Sequence, residues 1–137
     1  MRLVGFSFKK ISIEKLSDSF KGVKVNSKIN ISNIEILKKG VLQEKGEIIE
    51  VNFSYHMDYN PDLAKIELGG KVLLMADKNQ AKEVEEMWKS NKMSEDFRIS
   101  LFNIILKKAN LKALELEEET GLPLHIPLPT LKKQKKE

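Results

Sequence analysis

The feature that most constrains this chain is the alternation of apolar and polar residues between Glu50 and Tyr59, "EVNFSYHMDY". Successive side chains of a β-strand point to opposite faces, so this pattern predicts a strand with one face against a core and the other toward solvent. The apolar row is Val51, Phe53, Tyr55, Met57 and Tyr59, and the polar row is Glu50, Asn52, Ser54, His56 and Asp58.

Other stretches in the first half of the chain alternate in the same way, which predicts a sheet. With the opening stretch extended back to Ile48, we expect strands at residues 2–14, 23–36, 48–59 and 64–75. In the first strand the alternation slips at Lys9–Lys10, between Phe6 and Phe8 on one side and Ile11 and Ile13 on the other. Such a slip predicts a β-bulge or a bend within one long strand.

The connections between these strands indicate how they pair. A second slip at Ser32–Asn33 predicts a bend in the second strand, and Gly69–Gly70 permit curvature in the fourth. A polar turn zone around Gly40 and Gly46 and the turn at Asn60–Asp62 separate successive strands. Short connections favour an antiparallel meander whose first strand is long and bent.

After the fourth strand the apolar residues recur at helical spacing. A short helix is predicted before Asn91, with an apolar face made of Ala81, Val84, Met87 and Trp88. A long helix follows, with Ser94 as its N-cap and Gly121 at the position of a C-terminal glycine cap. The predicted fold class is therefore α+β: a four-stranded antiparallel sheet followed by a short and a long helix packed on one face.

The long helix has two features that leave its surroundings open. Its apolar stripe is wide, because Ile99, Phe102 and Leu116 add a second flank. It is either a core helix that lies on the sheet, or one whose second flank is buried in a subunit contact. Four glutamates also lie between residues 115 and 119, where the helix dipole disfavours carboxylates, and the sequence offers no physical reason beyond solvation or a basic partner.

The segment Leu122–Leu131, "LPLHIPLPTL", alternates aliphatic residues with three prolines. Proline prevents a helix and favours an extended, polyproline-like backbone. Because the segment is too apolar for a free linker, we expect it to pack back on the domain or on a partner. A proline-motif ligand for another protein is the alternative interpretation.

Composition is that of a folded, soluble protein: 41% of the residues are hydrophobic and 32% are charged. The apolar runs are far shorter than the roughly 20 residues that cross a bilayer, so no membrane insertion is expected. The first residues lack the apolar core of a secretory signal. The chain has no cysteine, which excludes disulfides and thiolate metal sites and favours a cytoplasmic location.

Three of the four net positive charges lie in the last six residues, which hold four lysines and one glutamate. The sequence therefore predicts a single domain at residues 1–131 and a basic, disordered tail at 132–137. A tail of this kind is either a solvated terminus or an arm that binds RNA. The candidate nucleic-acid contacts are Lys132, Lys133, Lys135 and Lys136.

Ser54, His56 and Asp58 share one face of the third strand and raise the question of a hydrolytic triad. Side chains two residues apart on a strand stand roughly 6–7 Å from each other, whereas triad members hydrogen-bond at about 2.6–3.2 Å. His56 and His125 have no metal-ligand spacing, and no phosphate-binding loop is present. We therefore expect these three residues to lie on the solvent side of a sheet. We expect no catalytic residues in the protein, and no bound metal or cofactor.

Three segments resemble the SecB family of protein-export chaperones. "KKISIEK" (Lys9–Lys15) is similar to the family's opening strand, and "RISLFNIILKKANLKAL" (Arg98–Leu114) resembles the start of its long helix. "LPLHIPLP" (Leu122–Pro129) resembles the apolar, proline-containing segment near its C-terminal helix. The order of elements also agrees, and the resemblance is greatest to small archaeal relatives of the family.

The resemblance implies a cytoplasmic, non-enzymatic holdase that forms a dimer or tetramer and holds unfolded polypeptide along apolar grooves. The polypeptide contacts it implies are Phe6, Phe8, Tyr55, Met57, Met75, Met87 and Trp88. Bacterial export chaperones are acidic and dock a translocation ATPase, and the basic character of this chain argues against that partner. The alternatives are a ribosome- or RNA-associated protein that uses the lysine tail, a small-molecule enzyme, and a structural subunit of an assembly.

Overall fold

The computed structural model describes residues 1–37 and 46–131. The elements are β1 (Arg2–Lys15), β2 (Lys24–Leu37), β3 (Glu47–Asn60), β4 (Ala64–Ala76), α1 (Lys78–Trp88) and α2 (Glu95–Thr120). The predicted α+β class, with four antiparallel strands followed by a short and a long helix, is confirmed. The predicted turn around Gly40 and the predicted tail at 132–137 lie outside the described residues.

The strands lie in the order β1-β4-β3-β2, and every neighbouring pair is antiparallel. Only β2, β3 and β4 form a meander, so the prediction that all four strands do was wrong in this detail. The link from β1 to β2 crosses the end of the sheet, where the backbone N–H groups of Leu16 and Ser17 donate to the Leu63 carbonyl at 2.8 and 3.1 Å. This link carries β2 to the opposite edge and gives Greek-key connectivity.

Both predicted slips of register are confirmed. The pairing of β1 with β4 shifts between Phe8 and Lys10, and that of β2 with β3 shifts between Ile31 and Asn33. The extra residue at Lys9 shifts the phase of β1, so that Phe8 and Ile11 face the same side of the sheet although they are three positions apart. A further shift between Leu3 and Gly5 was not predicted.

Both helices pack on one side of the sheet, here called the helix face. The whole apolar row of β3 lies on this face and is at most 3% exposed. α1 and the first half of α2 cover the end that contains Ile49 and Val51, while the second half of α2 covers the end that contains Tyr59 and Ile66. The opposite side, here called the open face, carries the polar row of β3.

The helix boundaries follow the caps that the sequence contains. Asp77 forms a capping box with Gln80 at the start of α1, and the Ser94 side chain accepts a hydrogen bond from the Phe97 N–H at the start of α2. Gly121 ends α2 in the left-handed conformation, with φ of 72°. Within residues 1–37 and 46–131, neither helix combines the length and the apolar character needed to cross a bilayer.

The second flank of α2 remains accessible in a single chain. Ile99 is 49% exposed, whereas Leu101 on the sheet side is fully buried. Leu116, which was also predicted on this flank, is instead buried in the core. Phe102 and Leu106 are half-buried. One side of α2 is therefore part of the hydrophobic core, and a subunit contact on its second flank stays a prediction.

Candidate functional site

Ser54, His56 and Asp58 lie on the open face, where the geometry is that of a cross-strand network. His56 is opposite Glu67 of β4, and its Nδ1 lies 3.9 Å from the Glu67 carboxylate. Lys10 donates a hydrogen bond to the same carboxylate at 2.6 Å, and this contact lowers the pKa of Glu67. His56 is therefore oriented toward Glu67, not toward its neighbours in the polar row, as expected for the solvent side of a sheet.

The seven residues predicted to contact polypeptide do not form one surface. Tyr55 and Met57 are 1% and 0% exposed, because the second half of α2 covers them, so a bound chain cannot reach them in this conformation. Met75 is half-buried on the open face. The other four are half-buried at two places on the helix side, Phe6 and Phe8 on β1 and Met87 and Trp88 at the end of α1.

Phe6 and Phe8 form an aromatic cluster with Phe53 of β3. The rings of Phe6 and Phe8 meet edge to face, with centroids 5.1 Å apart, and the Phe6 and Phe53 centroids are 5.5 Å apart. The Lys108 ammonium of α2 lies 5.7 Å from the Phe6 ring centroid. The cluster therefore joins the edge strand to the core, and part of its surface stays accessible.

A groove of about 410 Å³ opens between the start of β1, α1 and the first half of α2. The register shift between Leu3 and Gly5 places Leu3 opposite Leu74 on the helix face, where it forms one wall. Leu3 is 40% exposed and the adjacent Val4 is 42% exposed. The groove is lined by Met1, Leu3, Leu74, Gln80, Glu83, Val84, Ser94, Asp96, Phe97, Ser100, Leu101 and Ile104.

None of the seven predicted contacts lines this groove. The sequence does not reveal it, because its walls come from three elements and its mouth depends on the unpredicted shift near Val4. The stretch "RLVGF" has no clear alternation that would have marked the shift. The only signal available was the apolar character of Leu3 and Val4 at the start of an edge strand.

A buried polar cluster lies at the opposite end of the sheet and was also missed. Glu117 of α2 is fully buried, and its carboxylate accepts hydrogen bonds from the Tyr59 hydroxyl, the His125 backbone N–H (3.1 Å) and the His125 Nδ1–H (2.8 Å). Burial of the hydroxyl is the largest cause, and the hydrogen bond to Glu117 the second, of a raised pKa for Tyr59. These contacts account for the position of Glu117, one of the four glutamates that the sequence alone left unexplained.

The cluster continues through Asn110. Its side-chain oxygen lies 3.1 Å from His125 Nε2 and accepts a hydrogen bond from the Tyr55 hydroxyl at 3.1 Å. Burial raises the pKa of Tyr55 as well. Among the described residues, no group of three histidine and acidic side chains is placed to hold a metal ion. The candidate RNA contacts Lys132, Lys133, Lys135 and Lys136 lie outside the described residues.

Comparison with known proteins identifies the fold. No protein-family model matches the chain, and no curated protein sequence does. A solved structure of a SecB-like chaperone from Mycobacterium tuberculosis, in complex with a ChAD peptide from the HigA1 antitoxin, matches with a TM-score of 0.52. The match has 9% sequence identity and covers 98% of this chain and 92% of that chain. The chain has a SecB-like fold over nearly its whole length.

Proposed function

We propose that the protein is a non-enzymatic chaperone that holds unfolded polypeptide and acts as a homo-oligomer in the cytoplasm. The observation that carries the proposal is the groove, because it combines an apolar wall with a strand edge. β1 pairs only with β4 among the described strands, so its other edge presents unpaired N–H and C=O groups beside Leu3 and Val4. An extended segment can bond to such an edge while its alternate side chains enter the groove.

The SecB-like fold supports this proposal, since the similar chaperone was solved with a peptide from another protein. The polar rim supports it further. Glu83 and Asp96 give the groove acidic groups, which favour segments that carry lysine or arginine beside their apolar residues. The relation to small archaeal proteins stays a prediction.

The test is an aggregation assay with a chemically denatured client, combined with light scattering to give the mass of the assembly. We expect Leu3→Glu to lose most of the protection, because the new carboxylate lies in the apolar wall beside Glu83 and Asp96. Leu16→Glu is the matched control, since Leu16 is a 55% exposed leucine beyond the other end of β1. Equal protection by both variants would contradict the assignment of the groove.

Removal of Lys132–Glu137 separates the holdase from the RNA-binding alternative. A holdase that works through the groove keeps its protective effect without the tail. A strongly salt-dependent affinity for ribosomes or RNA that disappears with the tail would instead favour the alternative.

A further inference from the structure

The buried carboxylate of Glu117 needs hydrogen-bond donors from the rest of the fold. It is fully buried in the last turns of α2, where the helix dipole opposes negative charge. A buried charge is costly unless it is paired and hydrogen-bonded. Of its three donors, one is the Tyr59 hydroxyl of β3 and two belong to His125. The compensation therefore depends mainly on one residue of the segment after the helix.

That segment, Leu122–Leu131, is here called the strap. Leu122 anchors its start in the core at 5% exposure, and its N–H donates to the Glu117 carbonyl at 3.0 Å. Beyond His125 the strap is loosely held, with residues 127–131 exposed. Within the described part of the chain, Leu122 and His125 are the only strap residues whose backbone N–H groups bond to the rest of the protein.

The strap contacts a cluster of buried polar groups through His125. His125 is only 9% exposed at its side chain and sits between Glu117 and Asn110. The Tyr55 and Tyr59 hydroxyls complete the same cluster. The chain changes direction between helix and strap at Gly121, which has a left-handed conformation.

We propose that Glu117, Asn110, Tyr55 and Tyr59 form a binding site, the strap site, for an extended leucine- and proline-rich segment that carries a histidine. The chain's own strap fills the site, and the strap of a second copy takes its place when the first one is released. The contacts of His125 run from the strap to side chains of the domain body, so the same contacts form when the strap belongs to another copy, whereas the Leu122 N–H bond belongs to the end of the strap's own helix. The site is separate from the groove, and its test needs no client protein.

Covalent attachment decides whether the site binds its own strap or a free segment. A strap joined to the domain at Gly121 has an effective concentration in the millimolar range, so a free segment cannot compete with it. Weakening the intramolecular strap at His125 removes two of its advantages at once: the Nδ1–H bond to Glu117 and the Nε2 contact with Asn110. The same histidine on a free segment then becomes the better ligand.

The experiment measures binding of a labelled peptide with the sequence of residues 122–131 to the full chain by fluorescence anisotropy. The recipient is His125→Ala, and the controls are the unmodified protein and Leu124→Ala, a neighbouring strap residue that is 38% exposed and outside the cluster. A second peptide carries alanine in place of the histidine. We expect His125→Ala to bind the histidine peptide at least tenfold more tightly than either control does. The His125→Ala variant should bind the alanine peptide at least tenfold more weakly than it binds the histidine peptide, a difference of about 1.4 kcal/mol in binding free energy.

Two outcomes overturn the proposal. One is equal affinity of the two peptides for His125→Ala, and the other is an unchanged preference for the histidine peptide when Glu117→Gln is added to that variant. Hydrogen exchange on the unmodified protein is an independent test of whether the strap opens, because it requires no substitution. The His125 amide should exchange faster than the core amides of β3, because the strap opens without global unfolding. Exchange of that amide only at the rate of global unfolding would also overturn the proposal.

Discussion

At Gly70 the sheet leaves no space for a side chain. A methyl group there would overlap the Ser7 carbonyl oxygen and press on the Phe53 ring, whereas at Gly69 the nearest atom, Cβ of Lys10, lies at an ordinary 3.5 Å. We expect Gly70→Ala to lower the free energy of unfolding by about 1–3 kcal/mol through overpacking. Gly69→Ala should change it by less than about 0.5 kcal/mol. Urea unfolding of the two variants distinguishes a steric requirement from a general need for glycine in β4.

Tyr55 and Tyr59 are the only tyrosines, and both have a raised pKa because they are buried. The unfolded chain ionises its tyrosines near pH 10, while the folded chain keeps them neutral. The stability that these buried hydroxyls contribute is therefore intact below about pH 10 and falls above it, until the pH passes the folded pKa of each tyrosine. Tyr59→Phe should make this alkaline slope shallower, although it lowers stability at neutral pH by about 1–3 kcal/mol, since Glu117 loses a donor. Urea unfolding between about pH 8 and 11 measures the slope, and an unchanged slope in Tyr59→Phe would refute the assignment.

Sequence patterns predicted residues at this scale when their environment was set by near neighbours. The burial of Met57 follows from its phase within one strand, and the cap at Ser94 follows from the residues just after it. Glu117 could not be predicted, because its donors come from β3 and from the strap, 58 and 8 residues away. The sequence showed only an unexplained carboxylate at a helix end and an unexplained histidine between prolines.

At the scale of the element, α2 has one side that supports the sheet and another that does not. Leu101 is fully buried against the first half of the core, and Leu111 on the same helix is 60% exposed. We expect Leu101→Ala to lower the free energy of unfolding by about 2–5 kcal/mol, as the substitution leaves a cavity. Leu111→Ala should stay within about 0.5 kcal/mol of the unmodified protein. Similar losses in the two variants, measured by denaturant unfolding, would mean that Leu111 is buried in an assembly.

The same scale shows where pattern-based prediction of the sheet ends. Alternation locates a strand and its bulges, because both are properties of consecutive residues, and the shifts at Lys9 and Ser32 were found in this way. Strand order depends on the path of a connection instead. The β1–β2 link folds over the end of the sheet and bonds to Leu63, a contact between residues far apart in sequence that leaves no periodic trace. A short link between two strands was therefore not sufficient to predict that they pair.

On the scale of the whole molecule, two apolar regions are not covered by the rest of the chain. Ile99, Phe102 and Leu106 are spaced to form one stripe on the second flank of α2, and Leu3 and Val4 are exposed at the edge of the sheet. Contiguous apolar patches of this kind mark interaction surfaces in soluble proteins. The two regions differ in shape: the edge borders a groove that suits an extended segment, while the helix flank is convex and suits a second helix.

This difference leads to a prediction about assembly. We expect the unmodified protein to form an oligomer in which the flank of α2 is buried, and Ile99→Lys to reduce its mass in light scattering toward that of a single chain. The reason is that an ammonium group in an apolar contact cannot be paired or hydrated. Leu111→Lys is the control, because Leu111 is exposed on the same helix but outside the stripe. A single-chain mass for the unmodified protein would contradict the oligomer itself. Equal dissociation by both substitutions would show that the stripe is not the contact, and Leu3→Glu would then be the variant to test for assembly through the edge of β1.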